Sequence, residues 1–250
     1  MPFMTPLYFI DKKKAVQKLD ISGEIIKITD DGFGVAVAAC NSGHLWVIRK
    51  TGELSYSTDE KNWTDLNSKS LRFRKIDTTP QGNIIAMGND QSLYGVEKNG
   101  RIMTLAPAGI YSDFSVGADG SLWFVISQVG DREHVLAFTN LQQLTPQPTH
   151  YGALGRKVAA GQNGQVGFIT LGGEVASSSA FAMGSLSSDA GKNFAAEICL
   201  DSHSGTFFVL EASNQPKKKA AKIWYWNPVT DRHNDWKVLP GVEALSMSIA

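Results

Sequence analysis

The chain has 250 residues, 42% of them hydrophobic, enough to bury a sizeable core. Its 24 Lys and Arg balance 24 Asp and Glu, which argues against bulk electrostatic attraction to nucleic acid or to an anionic membrane. Cys40 and Cys199 are too few for a cysteine metal cluster. They read as buried free thiols, with a disulfide as the alternative.

The N-terminal stretch MPFMTPLYFIDKKK carries its lysines after its apolar part, the reverse of a secretory signal. No apolar run approaches the roughly 18 residues of a membrane-spanning helix. The expected location is therefore cytoplasmic, or outside the cell by a route without an N-terminal signal peptide.

Short runs rich in Val, Ile, Phe, Tyr and Trp, bounded by Gly, Asn, Asp and Ser, predict strands and hairpins throughout. PLYFID, AVQKLD and EIIKITDD open the chain as three strands. Residues 34–67 follow with VAVAAC, HLWVIRK, ELSYS and WTDL. Residues 72–108 carry RKIDT, NIIAMG, SLYGVEK and RIMTL, and residues 113–148 carry DFSVG, SLWFVIS, HVLAF and QQLT. Residues 155–196 form a fourth group whose third strand, near SSSAFAMGSLSS, is the least defined. Residues 197–240 contain EICLD, TFFVLEA, KIWYW and DWKVL, and VEALSMSIA ends the chain.

A glycine followed three residues later by an anchor recurs about every 40 residues, at Trp46, Ile85, Trp123, Gly167 and Phe208. Four short strands at that period predict an all-β fold, a six-bladed β-propeller over residues 1–250 as one domain, with five or seven blades as the alternative. The C-terminal strand is expected to pair with the N-terminal strands in one blade, removing two bare edges at the seam.

The segment Asp235–Ala250, DWKVLPGVEALSMSIA, resembles the tectonin repeat: a Trp opening an outer strand, an apolar-Pro-Gly link, then an inner strand. Trp63–Asp77 and Asp113–Val125 supply further copies. Ser187–Phe194 and Ser57–Trp63 resemble Asp-box turns, in which Ser and Asp side chains bond the backbone of a tight turn. The resemblance implies a tachylectin-like lectin without enzymatic activity. Sialidase chemistry, the enzymatic reading of an Asp-box propeller, would need three arginines gripping the substrate carboxylate, where the chain has only seven in all, and the family's Phe-Arg-Ile-Pro motif is absent.

No catalytic constellation, cofactor motif or metal site is apparent. Cys40 with His44, and Cys199 with His203, share a spacing that reads as an echo of the repeat. The ligand-binding candidates are Trp224, Trp226, Asn227, Asp231, His233 and Trp236. Alternation puts Trp224 and Trp226 on one face, and polar neighbours could rim an aromatic platform on which a sugar stacks. Packing between blades is the competing role for the same rings. Two partner classes follow: glycans, through inter-blade or loop sites, or a protein bound to a rigid scaffold. Lys12–Lys14 and Lys217–Lys219 are expected at hairpin tips, either solvated or facing an acidic partner.

Overall fold

A computed structural model describes residues 5–40, 42–66, 70–107, 111–127, 134–140, 149–177, 195–211, 220–232 and 235–250. The second expected Asp-box-like turn (187–194), most of SSSAFAMGSLSS, the QQLT segment, Lys217–Lys219 and His233 lie outside them. Among the described residues there is no helix, and so none long and apolar enough to cross a membrane.

Among the described residues the strands form six antiparallel sheets, five of four strands and one of three. In chain order, β1 (Leu7–Ile10), β2 (Val16–Leu19) and β3 (Ile25–Lys27) begin the first sheet. The second holds β4 (Ala36–Ala39), β5 (Leu45–Ile48), β6 (Leu54–Ser57) and β7 (Thr64–Leu66). The third holds β8 (Phe73–Thr78), β9 (Ile84–Gly88), β10 (Leu93–Val96) and β11 (Ile102–Ala106). The fourth holds β12 (Tyr111–Val116), β13 (Ser121–Ser127), β14 (His134–Asn140) and β15 (Thr149–Leu154). The three-stranded sheet is β16 (Lys157–Ala160), β17 (Val166–Ile169) and β18 (Val175–Ser177). The next is β19 (Ala195–Leu200), β20 (Phe207–Glu211), β21 (Ala221–Trp226) and β22 (Lys237–Ala244). Finally β23 (Ser246–Ile249) returns to the first sheet and pairs with β1, Leu7 opposite Ile249 and Ile10 opposite Ser246. The shared sheet of the two chain ends is the one the sequence predicts. Two strands differ from expectation: the outer strand of the fourth sheet is Thr149–Leu154, and the third strand of the next is Val175–Ser177.

The hairpins explain the recurring glycine. In each five-residue turn the first N–H donates to the fifth carbonyl and the fourth N–H donates back to the first. Cys40–His44, Arg49–Glu53, Thr79–Asn83, Glu97–Arg101 and Gly117–Ser121 all follow this pattern. The fourth residue has positive φ, which glycine adopts without strain: Gly43, Gly52, Gly82, Gly100 and Gly120 stand there. In Asp11–Ala15 and Gly88–Ser92 the same place is held by Lys14 (φ 65) and Gln91 (φ 68).

Contacts group the chain into two compact units. The first is Phe3–Gly109 with Ala244–Ala250, the second Ile110–Glu243. In the first unit, Tyr8, Ile10 and Val16 pack against Val37, Ala39, Leu45 and Val47 of the next sheet. Trp46, Ile48 and Leu54 in turn pack against Phe73, Ile76, Ile84 and Tyr94. Side chains tie the inner strands: the Ala39 N–H donates to Ser248 Oγ (3.1 Å), and Thr78 Oγ1 donates to the Ala39 carbonyl (2.7 Å). In the second unit the Ala160 N–H donates to Ser115 Oγ (3.0 Å), and the Val158 N–H to the buried Asp113 carboxylate (3.0 Å).

The anchor positions are packing positions. Trp46, Ile85, Trp123 and Phe208 are all buried. Gly167 breaks the aromatic pattern because the Phe207 ring of the following sheet fills its space: a Cβ there would lie 2.2 Å from Phe207 Cε1. At Ser57–Trp63, between the third and fourth strands of its sheet, Asp59 Oδ1 accepts the N–H groups of Lys61 (3.0 Å) and Asn62 (2.7 Å). These bonds hold the Asp59 carboxyl well below the usual carboxylate range.

Candidate functional site

The hairpin from β21 to β22 brings five of the six predicted binding residues together, with His233 outside the described residues. Trp224 and Trp226 do share a face of β21, but Trp226 is buried between sheets and Trp224 is half-buried. Trp224 packs with Ile169, Val175, Ala195 and Val209. Trp226 packs with Ala159, Leu200 and Phe207 and is 1% exposed. Its ring lies 6.2 Å from Phe207, nearly parallel, and 5.6 Å from Trp236. A sugar stacks on an open aromatic face, and Trp226 presents none. The polar ends of the rings are used internally: Trp226 Nε1 donates to the Arg232 carbonyl (3.1 Å) and Trp224 Nε1 to Glu211 Oε2 (3.2 Å). Trp236 Nε1 is buried and has no hydrogen-bond partner among the described residues.

Asn227 and Asp231 close the loop between these strands. Asn227 Oδ1 accepts the N–H groups of Val229 (2.9 Å) and Thr230 (3.3 Å), a side-chain turn that fixes the chain direction. Its Nδ2 donates to the Ser204 carbonyl (2.8 Å) and to Thr206 Oγ1 (3.1 Å), joining this loop to the turn before β20. Asp231 accepts the Asn227 N–H (3.0 Å) and Lys237 Nζ (2.6 Å). Burial pushes the Asp231 carboxyl up, and these two bonds outweigh it and hold the group below its ordinary range. The hairpin is thus a fastened structural unit that exposes Val229, 83% accessible, together with Thr230 and Arg232.

The side chains of the Cys40–His44 turn contact one another and the neighbouring turn. Among the described residues neither Cys40 nor Cys199 forms a disulfide. Cys40 Sγ lies 2.9 Å from Ser42 Oγ, which lies 3.2 Å from His44 Nδ1. Trp46 Nε1 donates to the Gly82 carbonyl (3.0 Å) across the neighbouring turn, against which His44 and Lys98 also rest. Burial, and then the Lys98 ammonium, hold His44 below its usual pKa. Among the described residues no group of three or more His, Cys, Asp or Glu side chains is placed to hold a metal ion.

At the opposite ends of the first unit's strands, the loops are richer in cations. Lys12–Lys14 form the β1–β2 turn, Arg49 and Lys50 begin the β5–β6 turn, and Phe33 lies on the link between β3 and β4. The Arg49 guanidinium lies 3.8 Å from the centre of the Phe33 ring. Phe33 meets Trp63 edge-on at 4.8 Å. The lysine run was legible in the sequence. Its meeting with Arg49 and Phe33 was not, because 35 residues separate Lys14 from Arg49 and no local pattern links them.

No protein-family model and no curated protein matches the chain. Solved structures do. YCF48 bound to a D1 peptide matches at a TM-score of 0.55 and 11% identity, over 95% of this chain and 78% of that one. The WD40 β-propeller domain of Doa1 matches at 0.57 and 10% identity, over 98% and 83%. A luciferin-regenerating enzyme matches at 0.59 and 12% identity, over 90% and 88%. Together with the sheet order, these likenesses define an all-β propeller fold. At such identities they show the fold alone, and it is a fold shared by enzymes and by binding proteins.

Proposed function

We propose that the chain acts as one β-propeller domain and a rigid platform for protein–protein interaction. The observation that carries this reading is the use made of the predicted ligand site: Trp226 is core, and Asn227 and Asp231 are loop fasteners. Accessible side chains are then those of loops at the ends of tightly tied sheets, an arrangement suited to presenting several surface groups at fixed positions. The peptide-bound YCF48 structure and the WD40 domain of Doa1 support the reading as examples of the same fold. Affinity tagging in the native host, followed by crosslinking and mass analysis, tests it: a stoichiometric partner crosslinked through loop residues is expected. Recovery of the chain alone at native concentration would overturn it. The tectonin-like period also suggests glycan binding, and that reading would need a site other than the Trp226 ring. A glycan array with purified protein decides between the two.

A further inference from the structure

We infer that the loop surface formed by Lys12–Lys14, Phe33, Arg49 and Lys50 docks an acidic, extended segment of a protein partner. The inference rests on the platform reading and names the surface it would use.

Three loops are held in one layer. The Gly32 N–H donates to the Lys13 carbonyl (2.8 Å) and the Gly34 N–H to the Lys14 carbonyl (3.0 Å). The Val35 N–H donates to the Ile48 carbonyl (2.8 Å), which brings the link between β3 and β4 against the β5–β6 hairpin. Gly34 permits this approach: a Cβ there would lie 2.4 Å from Val47 Cγ1. The three lysines and Arg49 are therefore neighbours through backbone that is hydrogen-bonded in place.

The charges on this layer divide into two sets. Lys13 and Lys27 both meet Asp31 (3.7 and 2.7 Å), and Arg72 meets Glu53 (3.2 Å). Lys12, Lys14, Arg49 and Lys50 have no carboxylate within ion-pair distance among the described residues. The Arg49 guanidinium carbon lies 3.8 Å over the Phe33 ring, a contact that restrains the side chain, and a guanidinium fork matches a carboxylate. Lys14 stands among them at φ 65, the turn position that glycine holds in the Arg49–Glu53 and Glu97–Arg101 hairpins and Gln91 holds in Gly88–Ser92, so glycine there would relax the turn while removing the charge. The interleaved Asp11, Asp30, Asp31 and Glu53 would repel a dense polyanion. That favours a short peptide with spaced carboxylates over nucleic acid or a lipid surface.

The test is a titration of the whole chain against a fluorescent Asp/Glu-rich peptide, with its Asn/Gln counterpart as control, read by anisotropy. Saturable binding of the acidic peptide alone, weakening as salt rises, is expected. Arg49→Gln should weaken it severalfold, and Lys12→Gln with Lys14→Gln should do the same. Lys14→Gly is the decisive variant: it should weaken binding while raising the melting temperature, a combination that misfolding cannot produce. Lys98→Gln, at the other ends of the strands, should change nothing. Equal binding of the amide peptide, unchanged affinity in the Lys14 and Arg49 variants, or tighter binding to inorganic polyphosphate or to phosphatidylserine vesicles than to the peptide would overturn the inference. A partner that co-purifies equally with wild type and with the Lys12→Gln/Lys14→Gly/Arg49→Gln variant would leave the platform standing and sink this surface. Absence of any stoichiometric partner would sink the platform itself.

Discussion

Gly167→Ala puts the packing of the second unit to the test. Gly167 lies mid-strand in β17, opposite Ala159 and Ser177, with no positive φ to forbid a side chain. On backbone grounds alone alanine should help, by roughly 0.5–1 kcal/mol in a strand interior. Space decides otherwise. The new methyl would sit 2.2 Å from Phe207 Cε1, 2.9 Å from Cδ1 and 3.1 Å from Cζ, where 3.4–4 Å is ordinary contact. The ring is 2% exposed and stacked on Trp226, so it has no solvent to retreat into. Inserting a methyl into such packing costs about 1–3 kcal/mol. The net loss should be about 1–2 kcal/mol, lowering the melting temperature by roughly 2–8 °C in a chain of this size. Urea denaturation followed by tryptophan fluorescence measures it. Phe207→Leu should be destabilising alone, and the double variant should be more stable than the two single losses add up to, with a coupling of about 1 kcal/mol. A neutral or stabilised Gly167→Ala, or a coupling near zero, would refute the account of why the anchor is missing here.

Three further outcomes are expected. Trp226→Ala should cost about 3–5 kcal/mol, as for other buried aromatics, and near-ultraviolet circular dichroism should show lost packing. A stable, well-packed variant would return Trp226 to the list of binding residues. Truncation of Ser246–Ala250 should destabilise the first unit far more than a surface change would, because it strips the inner partner from β1; amide exchange in Leu7–Ile10 should rise most. An unchanged melting curve would show that this pairing contributes little. His44, whose folded pKa lies below its ordinary value of about 6.5, binds protons more readily when unfolded. Stability should therefore be fully present above that value and fall as pH drops below it. His44→Gln should flatten this acid limb in denaturation midpoints measured between pH 8 and 5, and an equal slope in both proteins would remove His44 as its source.

The sequence carried the architecture well because the repeat is written locally. Each five-residue turn needs positive φ at its fourth place, so glycine marks the hairpins, and β-branched and aromatic runs mark the strands between them. The pairing of β23 with β1 was legible too, since counting blades leaves the two chain ends one incomplete sheet each. The role of the aromatic residues was not legible. Alternation correctly puts Trp224 and Trp226 on one face, but whether that face meets solvent or a neighbouring sheet depends on residues far away in the chain, Ala159, Ile169 and Val175 among them. The same holds for Gly167, whose missing side chain makes sense only beside Phe207, and for Arg49, which reaches the lysine turn through Phe33. Strand and turn preferences act over a few residues and can be read in order along the chain. Burial, and with it the choice between core and site, is decided by which sheets come to lie against each other.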